Sequence, residues 1–333
     1  MSRLTQTLIP PSQRLSAEAL DDALNLGAGD ALSKRTGFLI MLTLSGVIAI
    51  AGVLTDSTAT VIGAMIIAPL GTPILGIAWG IVTGHPRRVL SSILWVLSGV
   101  VIVVALGLVF AVFVATPESL STNSQVIGRT SPSLMDLMAA LATGFAGGFA
   151  MCRKDLSAVM PGVAIAISLV PPLGVVGVCA GQGQWPEALG ALVLFLSNVF
   201  ALVIAGSIVF TVAGYARDPG SSPTADRRRA YAIVVTLALI IALPLAANSI
   251  ASIAVARWSV SIRNVTADWL GDESGGHIHG PVQWSGLTAT VSLTTPDGST
   301  PPLDDLQEEI AKTVPSYIGV VVDAGQGTEL VVQ

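Results

Sequence analysis

The stretch Gly63-Ala-Met-Ile-Ile-Ala-Pro69-Leu-Gly-Thr-Pro73 places two prolines near the middle of an uncharged segment, residues 59–83. Proline lacks a backbone N–H and clashes with the preceding turn of a helix. In a lipid bilayer, a backbone carbonyl that loses its donor has no water to replace it. We therefore expect the helix at residues 59–83 to be interrupted at these prolines and the interruption to be shielded from lipid.

A second uncharged segment, residues 156–180, contains a similar stretch, Gly162-Val-Ala-Ile-Ala-Ile-Ser168-Leu-Val-Pro171-Pro172. It predicts a second interrupted helix for the same reason. The freed carbonyls and the N-termini of the half-helices could then face a polar cavity. A simpler alternative is a pair of kinks that pack against neighbouring helices and bind nothing.

The two stretches are related by a shift of 99 residues, which pairs Pro73 with Pro172 and Asp56 with Asp155. Chance coincidences are frequent in a chain rich in Gly, Ala and Val, but proline and aspartate are rarer. The shift therefore indicates an internal repeat.

The composition indicates an integral membrane protein. Charged residues make up 11% of the 333 residues and hydrophobic residues 52%, whereas soluble domains contain about 25% charged residues. Seven uncharged stretches approach or exceed the length needed to cross the hydrocarbon core. They span residues 36–54, 59–83, 89–115, 137–152, 156–180, 188–214 and 230–256.

The distribution of Lys and Arg predicts the orientation. With the N-terminus in the cytoplasm, twelve of the sixteen Lys and Arg residues fall on the cytoplasmic side, as the positive-inside rule requires. The seventh span then leads to an extracytoplasmic C-terminal domain. The pattern predicts a multi-pass protein of the cytoplasmic (inner) membrane.

We predict an all-α transmembrane bundle of about seven helices, with helices two and five broken, and a small C-terminal α+β domain. The predicted parts are a cytosolic tail (1–35, with a short amphipathic helix possible at 16–34), a transmembrane domain (36–256) and an extracytoplasmic domain (257–333). The repeat units, 36–115 and 137–214, each hold three spans and so have opposite orientations, with 230–256 as an extra helix. Such a 3+3 inverted repeat is typical of secondary transporters.

Polar groups inside the predicted membrane region are few, and none is a Lys, Arg, His or carboxylate at mid-span. This argues against a relay of titratable side chains, so backbone groups, hydroxyls and amides would have to hold a solute. The predicted pathway residues are Asp56, Ser57, Thr58, Gly63, Pro69, Thr72, Pro73, Ser168, Pro171, Pro172 and Asn198. Two have simpler alternatives: an aspartate at a helix mouth often serves as an N-cap, and an asparagine in a span often bonds a neighbouring helix.

Two motifs resemble the signature of the family called domain of unknown function 389 (DUF389). They are Asp56-Ser-Thr-Ala-Thr-Val-Ile-Gly-Ala-Met-Ile-Ile-Ala-Pro-Leu-Gly-Thr-Pro-Ile74 and Leu156-Ser-Ala-Val-Met-Pro-Gly-Val-Ala-Ile-Ala-Ile-Ser-Leu-Val-Pro-Pro-Leu173. Both match in order and spacing, except that Gly71 stands where a bulkier Met is expected. The resemblance covers roughly residues 36–214. It implies a multi-span bacterial membrane protein and no particular substrate.

The C-terminal residues change character. Alternation and helical spacing predict strands at 287–295, 317–323 and 329–332 and a helix at 303–314. His277 and His279 would share one face if the chain were extended there, but no third metal ligand is evident. A solvated Gly-rich loop is the simpler interpretation of these two histidines.

A transporter or channel for a small solute or ion is the function that the broken helices and the repeat favour. The alternative is a membrane-embedded sensor or scaffold whose external domain binds a ligand or partner. An enzyme is not predicted, because all three histidines lie outside the spans and no catalytic motif is present. We expect no cofactor, no metal and no nucleic acid, and a homo-oligomer in the lipid bilayer.

Overall fold

The structure, a computed structural model, describes residues 8–114, 120, 122–130, 132–156, 169–217, 224–271, 276–285, 288–295 and 301–326. The chain divides into two compact units, Met1–Ala246 and Ala247–Gln333. The first unit is built from apolar helices, and the second contains a small sheet.

Ten helices are described up to the start of the sheet. They are α1 (Ala17–Leu24), α2 (Ala31–Leu54), α3 (Thr58–Ile67), α4 (Gly71–Thr83), α5 (Pro86–Phe110), α6 (Ser124–Thr130), α7 (Leu134–Met151), α8 (Val170–Gly181), α9 (Trp185–Val212) and α10 (Thr224–Leu270). Short 3-10 turns follow α5 at Ala111–Phe113 and α9 at Tyr215–Arg217. The boundary between the two units falls within the sequence of α10.

Local side-chain chemistry explains several helix ends. Ser16 and Asp30 accept backbone N–H bonds as the N-caps of α1 and α2. Ser133 and Asp136 form a reciprocal capping box at the start of α7. Gly84 ends α4 in the left-handed conformation, with φ of 73°, which a residue without a Cβ adopts easily.

Four helices among the described residues are long and apolar enough to cross a membrane: α2, α5 with its 3-10 turn, α7 and α9. The pair α3 and α4 would be a fifth span, bent by 47° at its break. This confirms a helical membrane protein and the interruption of the second span. The count of seven spans stays a prediction, because residues 157–168 lie outside the described residues.

The half-helix α4 lies in the interior of the first unit. Every residue from Pro73 to Thr83 is buried. Most of α8 is buried as well, including Pro171 and Pro172. Two short helices are therefore enclosed by longer ones, and protein rather than lipid surrounds them.

Glycine permits a close helix contact between α5 and α8. A Cβ placed on Gly107 would lie 2.7 Å from the carbonyl oxygen of Gly174 and 2.8 Å from Cα of Gly177. A Cβ on Gly177 would collide with the carbonyl oxygen of Val104. Contact between backbones at this distance is how small residues hold helices together in membranes.

The N-terminal residues pack against the helical bundle instead of forming a loose tail. Ile9, Leu20, Leu24 and Leu26 are all buried and belong to the main hydrophobic core of the unit. The amphipathic helix expected within residues 16–34 is the shorter α1.

The second unit contains a three-stranded sheet in the order β1 (His277–Ser285), β2 (Thr288–Thr295), β3 (Gly319–Gln326). β1 and β2 are antiparallel, and β2 and β3 are parallel, with α11 (Leu303–Thr313) between them in sequence. The predicted strands near 287–295 and 317–323 and the predicted helix are present. The strand predicted at 329–332 lies outside the described residues.

The loop interpretation of His277 and His279 is wrong, because both residues lie in β1 and pair with β2. The glycines on either side of these histidines are typical of a loop, so the sequence pattern did not predict the strand. Their alternate positions put both side chains on one face. Within the described residues, no group of three His, Cys, Asp or Glu side chains could hold a metal ion.

Gly177→Ala should lower the free energy of unfolding by about 1–3 kcal/mol, because its Cβ would collide with the α5 backbone, which cannot move aside easily. The measurement is thermal unfolding of the purified protein in detergent, followed by tryptophan fluorescence. Gly63→Ala is the matched control: it adds the same methyl group to a helix where nothing lies within 4 Å. Equal melting temperatures for the two variants would contradict the close packing of α5 on α8.

Candidate functional site

The candidate site is centred on the break between α3 and α4, residues 68–70. α3 ends at Ile67, and Ala68 then takes an extended conformation, with φ of −69° and ψ of 123°. Leu70 returns to helical angles, with φ of −60° and ψ of −26°, and α4 begins at Gly71. The interruption is therefore short and leaves two half-helices meeting at an angle.

The prolines have distinct roles in this break. Pro69 lies in the break itself, so the carbonyl of Met65 lacks the donor that a continuous helix would provide. Pro73 lies in the first turn of α4, where backbone N–H groups have no intrahelical partner and proline is tolerated. The sequence correctly predicted the interruption, although the turn that opens α4 at Pro73 is itself regular helix.

Carbonyls released by the break receive new donors. The Ser45 hydroxyl of α2 donates to the carbonyl of Ala64 at 3.0 Å, and Ser45 is fully buried. The Thr72 N–H donates to the Pro69 carbonyl at 3.2 Å. A side chain on a neighbouring helix thus supplies a hydrogen bond that lipid could not.

The second predicted break is described only in part. α8 begins at Val170, so Pro171 and Pro172 lie in its first turn, as Pro73 does in α4. Ser168 lies outside the described residues. α8 thus has the form expected of a half-helix, and the interruption before it stays a prediction.

Asp56, at the mouth between α2 and α3, has φ of 52°, a left-handed backbone conformation that is rare outside glycine. It is not the N-cap of α3, a role taken by Ser57. Its carboxylate instead accepts from the Ser124 hydroxyl at 2.6 Å and from the Gln125 N–H at 3.1 Å. The hydrogen bond from Ser124 holds the pKa of Asp56 below its ordinary value, so the carboxylate is ionised at neutral pH.

Further hydrogen bonds attach α6 to the same mouth. The Gln125 side-chain amide donates to the Thr58 hydroxyl at 2.8 Å, and the Asn123 amide donates to the Val53 carbonyl at 2.8 Å. Arg129 Nη1 donates to the Gln125 carbonyl at 2.6 Å and to its side-chain oxygen at 3.0 Å. Burial lowers the pKa of this guanidinium. The mouth is therefore covered by a polar network that includes Asp56 and Thr58.

Asp155, which the predicted repeat pairs with Asp56, has different contacts. Its two carboxylate oxygens accept from Nε and Nη2 of Arg153 at 3.0 and 2.6 Å. This pair is partly exposed, 23% for the Arg153 side chain and 41% for that of Asp155, and the hydrogen bonds with Arg153 lower the pKa of Asp155. The two aspartates therefore occupy matching places in sequence without matching partners.

The other predicted pathway residues are dispersed. Asn198 is buried in α9, 1% exposed, and Gly63 lies on an exposed part of α3. Pro69 and Thr72 are half-buried at the break. Backbone carbonyls and hydroxyls at the break, and hydroxyls, amides and the Asp56 carboxylate at the mouth, are the groups that could coordinate an ion or a polar solute.

Sequence reasoning missed Ser45, Ser124 and Gln125. Ser45 could have been found from the sequence, because a serine within the apolar first span predicts a hydrogen bond from its hydroxyl to a neighbouring helix. Nothing local could have linked Ser124 or Gln125 to Asp56, because almost 70 residues separate them.

Ser45→Ala should destabilise the protein by about 1–3 kcal/mol, because the Ala64 carbonyl would be left buried without this donor. Thr43→Ala is the matched control, since the Thr43 hydroxyl is exposed and donates only to its own helix, to Leu39. Chemical unfolding in mixed micelles measures both. If Thr43→Ala lowers the free energy of unfolding as much as Ser45→Ala does, the hydrogen bond to the Ala64 carbonyl contributes no more than an ordinary bond within one helix.

Comparison with known proteins agrees with the resemblance of the two motifs. Residues 65–204 match the family described as "Domain of unknown function (DUF389)", a region that runs from α3 to α9. An uncharacterized protein of Methanocaldococcus jannaschii is 33% identical over 183 residues, which is 55% of this chain and 55% of the relative. The chain thus matches about half the length of that curated relative, and no solved structure matches it. The match to the DUF389 family model thus includes the whole of α4, α5 and α8.

Proposed function

We propose that the protein is a membrane transporter or channel for a small solute or ion. The observation that carries the proposal is the broken helix pair α3–α4, whose second half is buried within the bundle. A break in a membrane helix leaves backbone dipoles free to bind a solute, and protein-enclosed breaks of this kind are the binding sites of many transporters.

An inverted repeat is part of the proposal, and the positions of the helices support it. α4 begins at Gly71 and α8 at Val170, 99 residues later. α5 begins at Pro86 and α9 at Trp185, again 99 residues later. This spacing is the one that pairs the prolines in the sequence, so the starts of two helix pairs, as well as single residues, support the proposed repeat.

Equivalent helix pairs also pack through equivalent positions. Gly107 of α5 meets Gly174 and Gly177 of α8. In the equivalent pair, which also joins the two halves, a Cβ on Gly206 of α9 would lie 2.7 Å from Leu75 and 3.3 Å from Ala78 of α4. All three positions of the first contact are related to those of the second by the 99-residue shift.

A second pair of contacts follows nearly the same relation. A Cβ on Gly46 of α2 would lie 3.0 Å from Leu106 and 3.6 Å from Val103 of α5. A Cβ on Gly144 of α7 would lie 2.8 Å from Ala205 of α9, the position 99 residues after Leu106. Leu202, which also meets Gly144, is the equivalent of Val103. Such agreement in packing is what two copies of one three-span unit would produce.

The proposal retains the orientation and location that the charges and the family resemblance predict: a bacterial cytoplasmic membrane, the N-terminus in the cytoplasm and the C-terminal domain outside. It includes a homo-oligomer, because the small external domain would gain stability from contact with sister subunits.

Purified protein in liposomes loaded with a panel of small ions and polar solutes should release at least one of them. Efflux can be followed with ion-sensitive dyes and by light scattering. Pro69→Ala should lower that rate at least tenfold, because alanine restores a backbone donor for the Met65 carbonyl within the break and favours a continuous helix.

Pro86→Ala is the matched control, since Pro86 opens α5 outside either break; its rate should stay within twofold of the parent protein. Folded, correctly inserted protein that releases nothing from the panel would count against transport. It would favour the sensor or scaffold alternative, for which the separate core of the second unit, including Ile262, Val291 and Ile318, provides a folded external module.

A further inference from the structure

We propose that residues 8–26, here termed the inner strap, close the predicted cytosolic face of the first unit by binding both halves of the proposed repeat. The inference rests on the proposed transport function for its consequence, which is that solute passage requires release of the strap. The contacts of the strap are independent of that function.

The first contact is made by the backbone. The Leu15 N–H donates to the carbonyl of Cys152 at 2.9 Å, and the Lys154 N–H donates to the carbonyl of Gln13 at 2.8 Å. Arg14 and Arg153 thereby form a short antiparallel bridge. The strap is thus fixed to the end of α7, in the second half of the repeat.

The second contact joins the strap to the end of α9. The Arg14 guanidinium lies over the Tyr215 ring, 4.0 Å from its centroid, and its Nε donates to the Ala213 carbonyl at 3.1 Å. The Tyr215 hydroxyl donates to the Leu15 carbonyl at 2.8 Å. Arginine stacked on an aromatic ring holds position better than a flexible lysine would.

The third contact joins the strap to the first half of the repeat. The Asp21 carboxylate accepts from Trp79 Nε1 of α4 at 2.9 Å and pairs with Arg88 of α5 at 3.0 Å. Trp79 also packs edge-on against Phe210 and Tyr215, with ring centroids 5.7 and 5.2 Å away. One aromatic cluster therefore lies under the strap and is shared by both halves.

These contacts have a mechanical consequence. The strap binds α4 and α5 on one side and the ends of α7 and α9 on the other, so the two halves cannot separate at this face while it is seated. The Arg88 and Asp21 side chains remain 34% and 20% exposed, so water can replace their ion pair at modest cost. Release of the strap would also uncover Ile9, Leu20, Leu24 and Leu26, which lie in the main hydrophobic core, so the polar contacts and these apolar ones together hold the closure in place.

The chain carries its own reporter of strap release. Cys152 is fully buried and interacts with Tyr215, the residue on which Arg14 stacks. The sequence contains two cysteines, Cys152 and Cys179. In a Cys179→Ala background, the rate of alkylation by N-ethylmaleimide therefore measures exposure of Cys152 alone.

Arg14→Ala and Asp21→Asn, each in that background and in liposomes, should accelerate alkylation at least tenfold. Asp21→Asn is the milder change, because asparagine keeps an acceptor for Trp79 and removes only the charge that pairs with Arg88. Asp22→Asn is the matched control: Asp22 is the neighbouring acid, its side chain is 57% exposed, and Lys34 keeps its hydrogen bonds to the Asp22 and Ala28 carbonyls when the side-chain charge is removed. Its alkylation rate should be unchanged.

Unchanged alkylation rates in both strap variants, or an equal acceleration in Asp22→Asn, would contradict the proposal that the strap closes this face. Solute efflux from the same liposomes separates this outcome from failure of the proposed function. If Arg14→Ala and Asp21→Asn release solute at least threefold faster, the result supports the proposal that the strap is a gate. If the protein is active and these variants are alkylated faster without faster efflux, the result contradicts the proposal that the strap is a gate. Faster alkylation in a protein that releases nothing supports closure by the strap and overturns transport.

Discussion

Hydrocarbon offers no hydrogen-bond partner to a backbone carbonyl that proline has deprived of its donor, and this constraint explains how the first unit is arranged. Pro69 interrupts the second span, and the resulting half-helix α4 lies in the interior, surrounded by longer helices. Ser45 of α2 then supplies a hydroxyl to the Ala64 carbonyl. Pro69 itself takes the donor from the neighbouring carbonyl of Met65, so the bond from Ser45 supplies, in the last turn of α3 beside the break, a donor that lipid could not.

Enclosing two half-helices requires helices to approach closely, and this requirement accounts for the glycine content. Gly107 allows α5 to contact α8, and Gly206 allows α9 to contact α4. The contacts are related by the same shift as Pro73 and Pro172. Proline and glycine thus have complementary roles: one opens the backbone, and the other brings neighbouring helices near enough to shield it. The short connections at the two faces are then covered by the inner strap and by α6.

The sequence predicted what local chemistry determines and missed what distant residues determine. The interruption near Pro69, the start of a half-helix at Pro172 and the main elements of the C-terminal domain follow from proline chemistry and from periodicity. The partners of Asp56 did not follow, because an acid at a helix mouth looks the same whether it caps its own helix or binds a segment almost 70 residues away. The strand at His277 was missed because the glycines before and after the two histidines are typical of a loop. The strand is defined by its pairing with β2, a tertiary contact that local sequence does not reveal.

The central claim is that the break faces water within protein and not lipid, and accessibility of single cysteines tests it most directly. In a background with Cys152→Ala and Cys179→Ala, cysteine would be placed at Ala68 or Thr72 in the break and, for comparison, at Val101, which is 67% exposed on α5. A charged, water-soluble thiol reagent applied to proteoliposomes should label the two break positions and leave the lipid-facing one unlabelled, because thiolates form only where water reaches. Absence of labelling at both break positions, as at Val101, would contradict a hydrated break and with it the proposed pathway.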